Sequence, residues 1–202
     1  MSSIKKVAVI GTGVIGAGWI IRCLAHNKIV YAFDKDLTLK KKLLAEIKRT
    51  WPYVKKLFNK NKLNFKNFKY FTSIQETLKD ADFIQECATE NYVLKTKLMS
   101  TIGKYAKPNA IISSSSSGLL PTRIYSKCKN PERAMIGHPF NPVYLLPAVE
   151  IVPGKKTSKK YLATAKKFYN SISMNPIMVK HELPGYLSDR LQEALWREGL
   201  HI

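Results

Sequence analysis

The chain has 202 residues, with 34 lysines and arginines against 14 acids, for a formal net charge of +20. At 45% hydrophobic it has enough apolar content for one good-sized domain, and no apolar run reaches the ~18 residues that a membrane span needs. Cys23, Cys87 and Cys128 have an odd count and no metal-ligand spacing, so no metal is expected and reduced thiols in a cytoplasmic protein are.

The basic excess is spread along the chain and mixed with asparagine, as in FNKNKLNFKNFKYF. A dedicated nucleic-acid surface clusters its charge, so solvated faces are the expectation and a nucleic-acid partner is not. The field of such a chain still favours anionic ligands.

The first predicted unit runs from Val7 to Asp34. Val7 to Ile10 is a β-branched run suited to a strand buried on both faces. Lys5 and Lys6 ahead of it imitate a secretory leader, but three glycines break the apolar run and Arg22 follows it. Gly11, Gly13 and Gly16 then fall in the spacing G-x-G-x-x-G. A helix is predicted from Val14 to Leu24, and a second strand from Ile29 to Phe33 ends at Asp34.

This is the order of a dinucleotide-binding fingerprint. Gly11 allows a tight turn, Gly13 a close approach of backbone to pyrophosphate, and Gly16 close packing of helix on sheet. The helix start at Val14 and Ile15 offers free N–H groups and a partial positive charge to the phosphates. Asp34, 18 residues after Gly16, suits the ribose hydroxyls and repels a 2′-phosphate, so NAD is the expected cofactor. The neighbouring Lys35 softens that discrimination.

A basic helix is expected from Leu37 to about Leu57, kinked or ended by Pro52. The Asn/Lys-rich piece at residues 59–69 reads as a surface connection, followed by a short strand at Tyr70 to Thr72. Ser73 and Glu76 form a capping box for a helix from Ile74 to Lys79. Asp82 to Cys87 reads as a buried strand and Tyr92 to Tyr105 as an amphipathic helix stopped before Pro108. A strand from Ala110 to Ser113 runs into five serines, Ser113 to Ser117. In isolation that run is a flexible low-complexity loop. Its place at the carboxyl end of a strand, where open α/β sheets put ligands, argues for a site.

Pro121 opens a short helix. Arg133 to Gly137 is a strand that delivers His138. Four prolines in HPFNPVYLLPAVEIVPG predict a rigid loop, then a strand around Val149 to Val152. Thr157 or Ser158 caps a helix to about Ser171, and a last strand is predicted at Ile177 to Lys180. Leu187, Leu191, Ala194, Leu195 and Trp196 give a final helical stripe. The alternation predicts an α/β fold: a Rossmann-type, doubly wound, mostly parallel sheet.

Oxidising an alcohol with a nicotinamide needs a proton acceptor, and histidine suits that role. His26 and His201 are expected to be solvated, and His181 lies in a charged turn. His138 follows a buried strand, and Glu150, twelve residues on, could steady its imidazole. Spacing alone leaves the alternative open that His138 is a satisfied structural residue.

The motifs GTGVIGAGW, ADFIQE, SGLLP, GHPFNPVYLLPAVEIV and PGYLSDRLQEALWRE together resemble the 3-hydroxyacyl-CoA dehydrogenase superfamily, and within it the carnitine-oxidising branch. The resemblance runs from about Lys5 to Ile202. It implies that His138 is the catalytic base, that Glu150 is its paired acid, and that the Ser117 hydroxyl binds the substrate oxygen. Asn141 would shape the substrate loop, and Glu90 and Lys95 would belong to the cofactor site. It implies NAD-dependent oxidation of a small 3-hydroxy substrate, with L-carnitine ahead of a 3-hydroxyacyl-CoA or gulonate. An inactive NAD-binding remnant is a further alternative.

Two departures accompany the resemblance. The acyl-CoA members have asparagine where this chain has Asp189, and a carboxylate there would offset a cationic substrate. Phe140, Tyr144 or Tyr186 could add cation–π attraction. Family members also continue into an all-helical domain that closes the cleft and forms a homodimer. The expected organisation is therefore a nucleotide-binding domain at residues 1–183 and the start of a truncated helical domain at 184–202.

Overall fold

The structure, a computed structural model, describes residues 4–60 and 63–202. The predicted connection at residues 59–69 lies partly outside these; within them Phe65–Asn67 forms a 3-10 turn. The strands are β1 Lys6–Ile10, β2 Ile29–Phe33, β3 Phe68–Phe71, β4 Phe83–Glu86, β5 Ile111–Ser114, β6 Ala134–Pro139, β7 Ala148–Pro153 and β8 Asn175–Met178. The helices are α1 Val14–Ala25, α2 Thr38–Leu57, α3 Ile74–Leu78, α4 Tyr92–Tyr105, α5 Pro121–Ile124, α6 Lys159–Asn170 and α7 Ser188–His201.

The eight strands among the described residues form one sheet in the order β3-β2-β1-β4-β5-β6-β7-β8. Every neighbouring pair is parallel except β6 with β7. The order reverses between β1 and β4, so their carboxyl ends open the crevice where doubly wound sheets bind nucleotides. Alternation along each central strand builds two cores. Val7 and Val9 face α1, α2 and α6, whereas Ala8 and Ile10 face α3, α4 and α5. Burial on both faces is why these strands read as continuous apolar runs.

Arg22 ties α1 to the far half of the sheet. Its guanidinium is fully buried and donates to the carbonyls of Val143, Leu146, Ile172 and Ser173 at 2.7–3.1 Å. Burial lowers its pKa to about 10. The planar fork, with five donors, suits a site built wholly from carbonyls. It anchors the loop that follows His138.

Several predicted boundaries move. Helix α2 runs through Pro52 unbroken. The carbonyl that loses its partner there belongs to Lys48, which is exposed, so water can replace the bond. β3 starts two residues earlier than expected. β8 occupies 175–178 rather than 177–180, because its parallel pairing with β7 sets Ala148 against Asn175. His138 lies within β6, not after it. His26 is half-buried rather than solvated: its ring nitrogens lie 2.9 Å from the Arg22 carbonyl and 2.8 Å from Ser173 Oγ. Ser158 stands at the N-cap of α6 without a side-chain cap bond.

Candidate active site

The glycine turn meets the steric demands of its spacing. Gly11 has φ +96°, and a Cβ there would press on the Cys87 carbonyl. A Cβ on Gly16 would collide with the Gly11 carbonyl oxygen. Gly13 instead faces open space, with nothing within 4 Å of where its Cβ would stand. No side chain caps α1 and no acid sits in its first turn, so the N–H groups around Val14 and Ile15 are left for an anion. Asp34 Oδ2 accepts from the Thr12 N–H at 2.9 Å and from Thr12 Oγ1 at 3.0 Å. Thr12 thus holds one carboxylate oxygen, while the other accepts a longer bond from the Asp36 N–H at 3.4 Å. Gly11, Gly13, the α1 N-terminus and Asp34 together fit the pyrophosphate and ribose of NAD.

His138 and Glu150 are cross-strand neighbours in the antiparallel β6–β7 pair. His138 Nδ1 lies 2.8 Å from Glu150 Oε2, and Glu150 is fully buried. Three more donors converge on that carboxylate: Ser188 Oγ at 2.6 Å, the Leu187 N–H at 2.9 Å and the Ser188 N–H at 3.0 Å. Burial pushes the Glu150 carboxyl up, but the bonds from His138, Ser188 and Leu187 outweigh it and leave it below the ordinary glutamate value. With Nδ1 engaged, Nε2 is the nitrogen free to meet a substrate.

The serine run is a built element, not a loose loop. The Ser113 hydroxyl meets Tyr169 Oη at 2.8 Å, and Ser114 Oγ donates to Glu86 at 2.5 Å. Ser115 Oγ accepts from Trp19 Nε1 at 3.0 Å and Gln85 Nε2 at 2.8 Å. Ser116 Oγ donates to Glu90 Oε1, which also accepts from the Ser117 N–H at 3.2 Å and the Gly118 N–H at 3.3 Å. Ser117, partly exposed, is thus fixed through its backbone. Backbone pairing of Ser114 with Glu86 and Ile136 carries β5 to that residue.

Lys95 is buried, with its ammonium 2.8 Å from the Glu86 carboxylate and 3.6 Å from Glu90. Glu90 is half-exposed at the edge of the cleft. Asn141 is exposed and precedes cis-Pro142. No ion pair joins Asp189 to Arg190 or Lys180 among the described residues. Burial raises the Asp189 carboxyl; among nearby charges His138 opposes that rise, while Glu150 and Glu90 add to it. Asp189 directly follows Ser188, whose N–H and hydroxyl both bind the Glu150 carboxylate.

Among the aromatic residues, Phe140 is half-buried with its ring 5.9 Å from that of His138. Tyr186 is fully buried, 5.7 Å from His138, and its hydroxyl donates to the Leu119 carbonyl at 2.7 Å. Its face is spent on packing. Tyr144 packs by Arg49 of α2 and on the α1 side of the sheet. Phe140 and Tyr186 are thus the two of the three expected aromatics whose rings lie beside His138.

Comparisons with known proteins agree on the fold. Residues 6–182 match the family model described as 3-hydroxyacyl-CoA dehydrogenase, NAD binding domain. The chain is 45% identical over 197 residues to an L-carnitine dehydrogenase of Staphylococcus epidermidis, covering 98% of this chain and 61% of that protein. It is 45% identical over 202 residues to an L-carnitine dehydrogenase of Pseudomonas putida, covering 100% of this chain and 63% of that one. The chain therefore spans about three fifths of the length of these curated relatives. Among solved structures, the (S)-3-hydroxybutyryl-CoA dehydrogenase of Ralstonia eutropha superposes with TM-score 0.88 at 28% identity, covering 98% of this chain and 73% of that one. An NAD-dependent 5-formyl-3-hydroxy-2-methylpyridine 4-carboxylic acid 5-dehydrogenase superposes with TM-score 0.91 at 26% identity, covering 98% and 64%.

Proposed function

Because the chain belongs to the 3-hydroxyacyl-CoA dehydrogenase family and carries its NAD-binding domain, we propose that it oxidises the 3-hydroxyl of L-carnitine to 3-dehydrocarnitine. The chemistry that NAD supplies when bound is acceptance of a hydride from the carbon that bears the hydroxyl. The Gly11–Gly16 turn would hold the pyrophosphate and Asp34 the ribose, and Glu90 with Lys95 would border the cofactor site. His138 accepts the hydroxyl proton at Nε2. Glu150 holds the ring in the required tautomer and offsets the positive charge that the imidazole gains. Ser117 binds the substrate oxygen, and Asn141 shapes the adjoining loop. Taking the hydroxyl proton is this chain's own part in turning the alcohol into a ketone.

The observation that carries the choice of substrate is a charge inversion. In a chain of net charge +20, two acids meet at His138: Glu150 Oε2 lies 2.8 Å from its Nδ1, and Asp189 directly follows Ser188, which binds the same carboxylate. A cluster of carboxylates suits a trimethylammonium group and disfavours a polyanionic coenzyme A ester. Phe140 adds an aromatic face nearby. The curated relatives named L-carnitine dehydrogenase support the same substrate.

A cytoplasmic enzyme that pairs as a homodimer completes the proposal, with residues 184–202 opening a helical unit beyond the nucleotide domain. The exposed Leu191, Leu195 and Trp196 on α7 support that division, since such an apolar row suits a packing partner.

A substrate panel tests the assignment. NADH formation is measured with L-carnitine, 3-hydroxybutyryl-CoA and gulonate at equal concentration. Carnitine should be preferred; preference for either of the others would overturn the substrate. Tight NADH binding with no turnover of any of the three would favour an inactive remnant.

A further inference from the structure

Five side chains at the crevice form a closed ring. Lys95 Nζ donates to both Glu86 oxygens, at 2.8 and 2.9 Å, and to the Ala88 carbonyl at 3.0 Å. Glu86 accepts from Ser114 Oγ, and Ser114 Oγ accepts from the Ser116 N–H at 3.2 Å. Ser116 Oγ donates to Glu90, and Glu90 Oε2 lies 3.6 Å from Lys95. The ring joins the ends of β4 and β5 to the first turn of α4.

The donor arithmetic gives the ring its function. A lysine ammonium has three N–H donors, and here three acceptors consume them: two from Glu86 and one from Ala88. No donor remains for Glu90, whose separation of 3.6 Å is beyond a hydrogen bond. Glu90 instead clamps the turn at Ser116, Ser117 and Gly118. Glu86 and Lys95 are 0% and 1% exposed, so this pair is costly unless each partner satisfies the other. Removing one Glu86 acceptor would release a Lys95 donor toward Glu90 and draw Glu90 off the turn.

We propose that Glu86 is a positioning residue for the nicotinamide end of the cofactor site, acting by occupying Lys95 so that Glu90 holds the 116–118 turn. This rests on the assignment of Glu90 to the cofactor site. The two can fail separately.

Binding of NADH and of ADP-ribose, which lacks the nicotinamide, separates positioning from general stability. The measurement is made by calorimetry on the whole chain, with circular dichroism to confirm folding. Glu86→Gln should weaken NADH about tenfold, the loss of roughly one well-made hydrogen bond, and leave ADP-ribose within about twofold. Because Glu86→Gln disturbs a buried pair, Ser116→Ala provides a second break without changing charge. It should give the same NADH-selective loss. Equal losses for both ligands, or none, in a folded Ser116→Ala protein would overturn the positioning role. If Glu90→Gln weakens NADH selectively while both ring variants are silent, only the positioning role falls. If Glu90→Gln changes neither ligand, the cofactor-site assignment falls and the proposal with it.

Discussion

His138 and Glu150 face each other across the one antiparallel pair in an otherwise parallel sheet, with Nδ1 2.8 Å from the carboxylate. Antiparallel pairing sets the two side chains opposite one another on the same face, so the strand register itself fixes the imidazole. The carboxylate is shared with the N-terminus of α7 through Leu187 and Ser188. One residue therefore orients the ring and docks the last helix.

That double duty predicts a pH effect. The Glu150 carboxyl sits below its ordinary value because the bonds from His138 and Ser188 overcome the cost of burial. A depressed carboxyl contributes stability that is present above the unfolded-state value and is lost as pH falls through the folded one. Glu150→Gln should lower the Tm at neutral pH and flatten its dependence on pH in the acid range. Thermal melts across that range check this. A variant as stable as the parent at neutral pH would exclude the predicted stabilisation.

Asp189 predicts the opposite sign. Its carboxyl is raised, first by burial and then by the nearby Glu150 and Glu90, with His138 opposing. The protonated form is favoured in the fold, so the stability cost is absent in acid and grows as pH rises through the folded value. Asp189→Asn should melt higher than the parent near neutral pH and equally well in acid. The same variant should raise the KM for L-carnitine about fivefold, as expected for loss of one partly screened charge contact. A more stable protein with unchanged KM would separate Asp189 from the substrate.

Asp34 accepts from Thr12 on Oδ2, and its Oδ1 has only a long bond from the Asp36 N–H at 3.4 Å. Asp34→Ala should weaken NADH about tenfold, as loss of a charge-assisted bond to the ribose, and narrow the preference for NADH over NADPH. Lys35 beside it would then attract the 2′-phosphate. Titration with both nucleotides measures the change. An unaltered NADH/NADPH ratio would exclude Asp34 as the discriminating residue.

Local chemistry made much of the fold legible from the chain. The glycine spacing with its flanking strands located β1, α1 and β2, since only that order satisfies both the turn and the packing. The helix at Tyr92–Tyr105 has the boundaries that its apolar pattern and Pro108 implied. What the linear pattern could not carry was pairing between distant segments. The shift of β8 follows from its register with β7, and the place of His138 inside its strand follows from β7 closing over it. Arg22 and Glu86 gave no signal as working residues, because a buried charge is recognised only when its partners are seen. Their partners lie on other elements, as far off as Ser173 for Arg22. The serine run looked repetitive, yet four successive hydroxyls bind different partners. Only its position at a strand end hinted at that.

The most direct test is the initial rate of L-carnitine-dependent NADH formation by the wild-type and His138→Ala proteins, with NADH affinity measured alongside. Loss of a general base should reduce the rate by at least about a hundredfold while leaving NADH binding unchanged. A His138→Ala protein that keeps the wild-type rate, or a wild-type chain that binds NADH and oxidises no carnitine, would contradict the proposed chemistry.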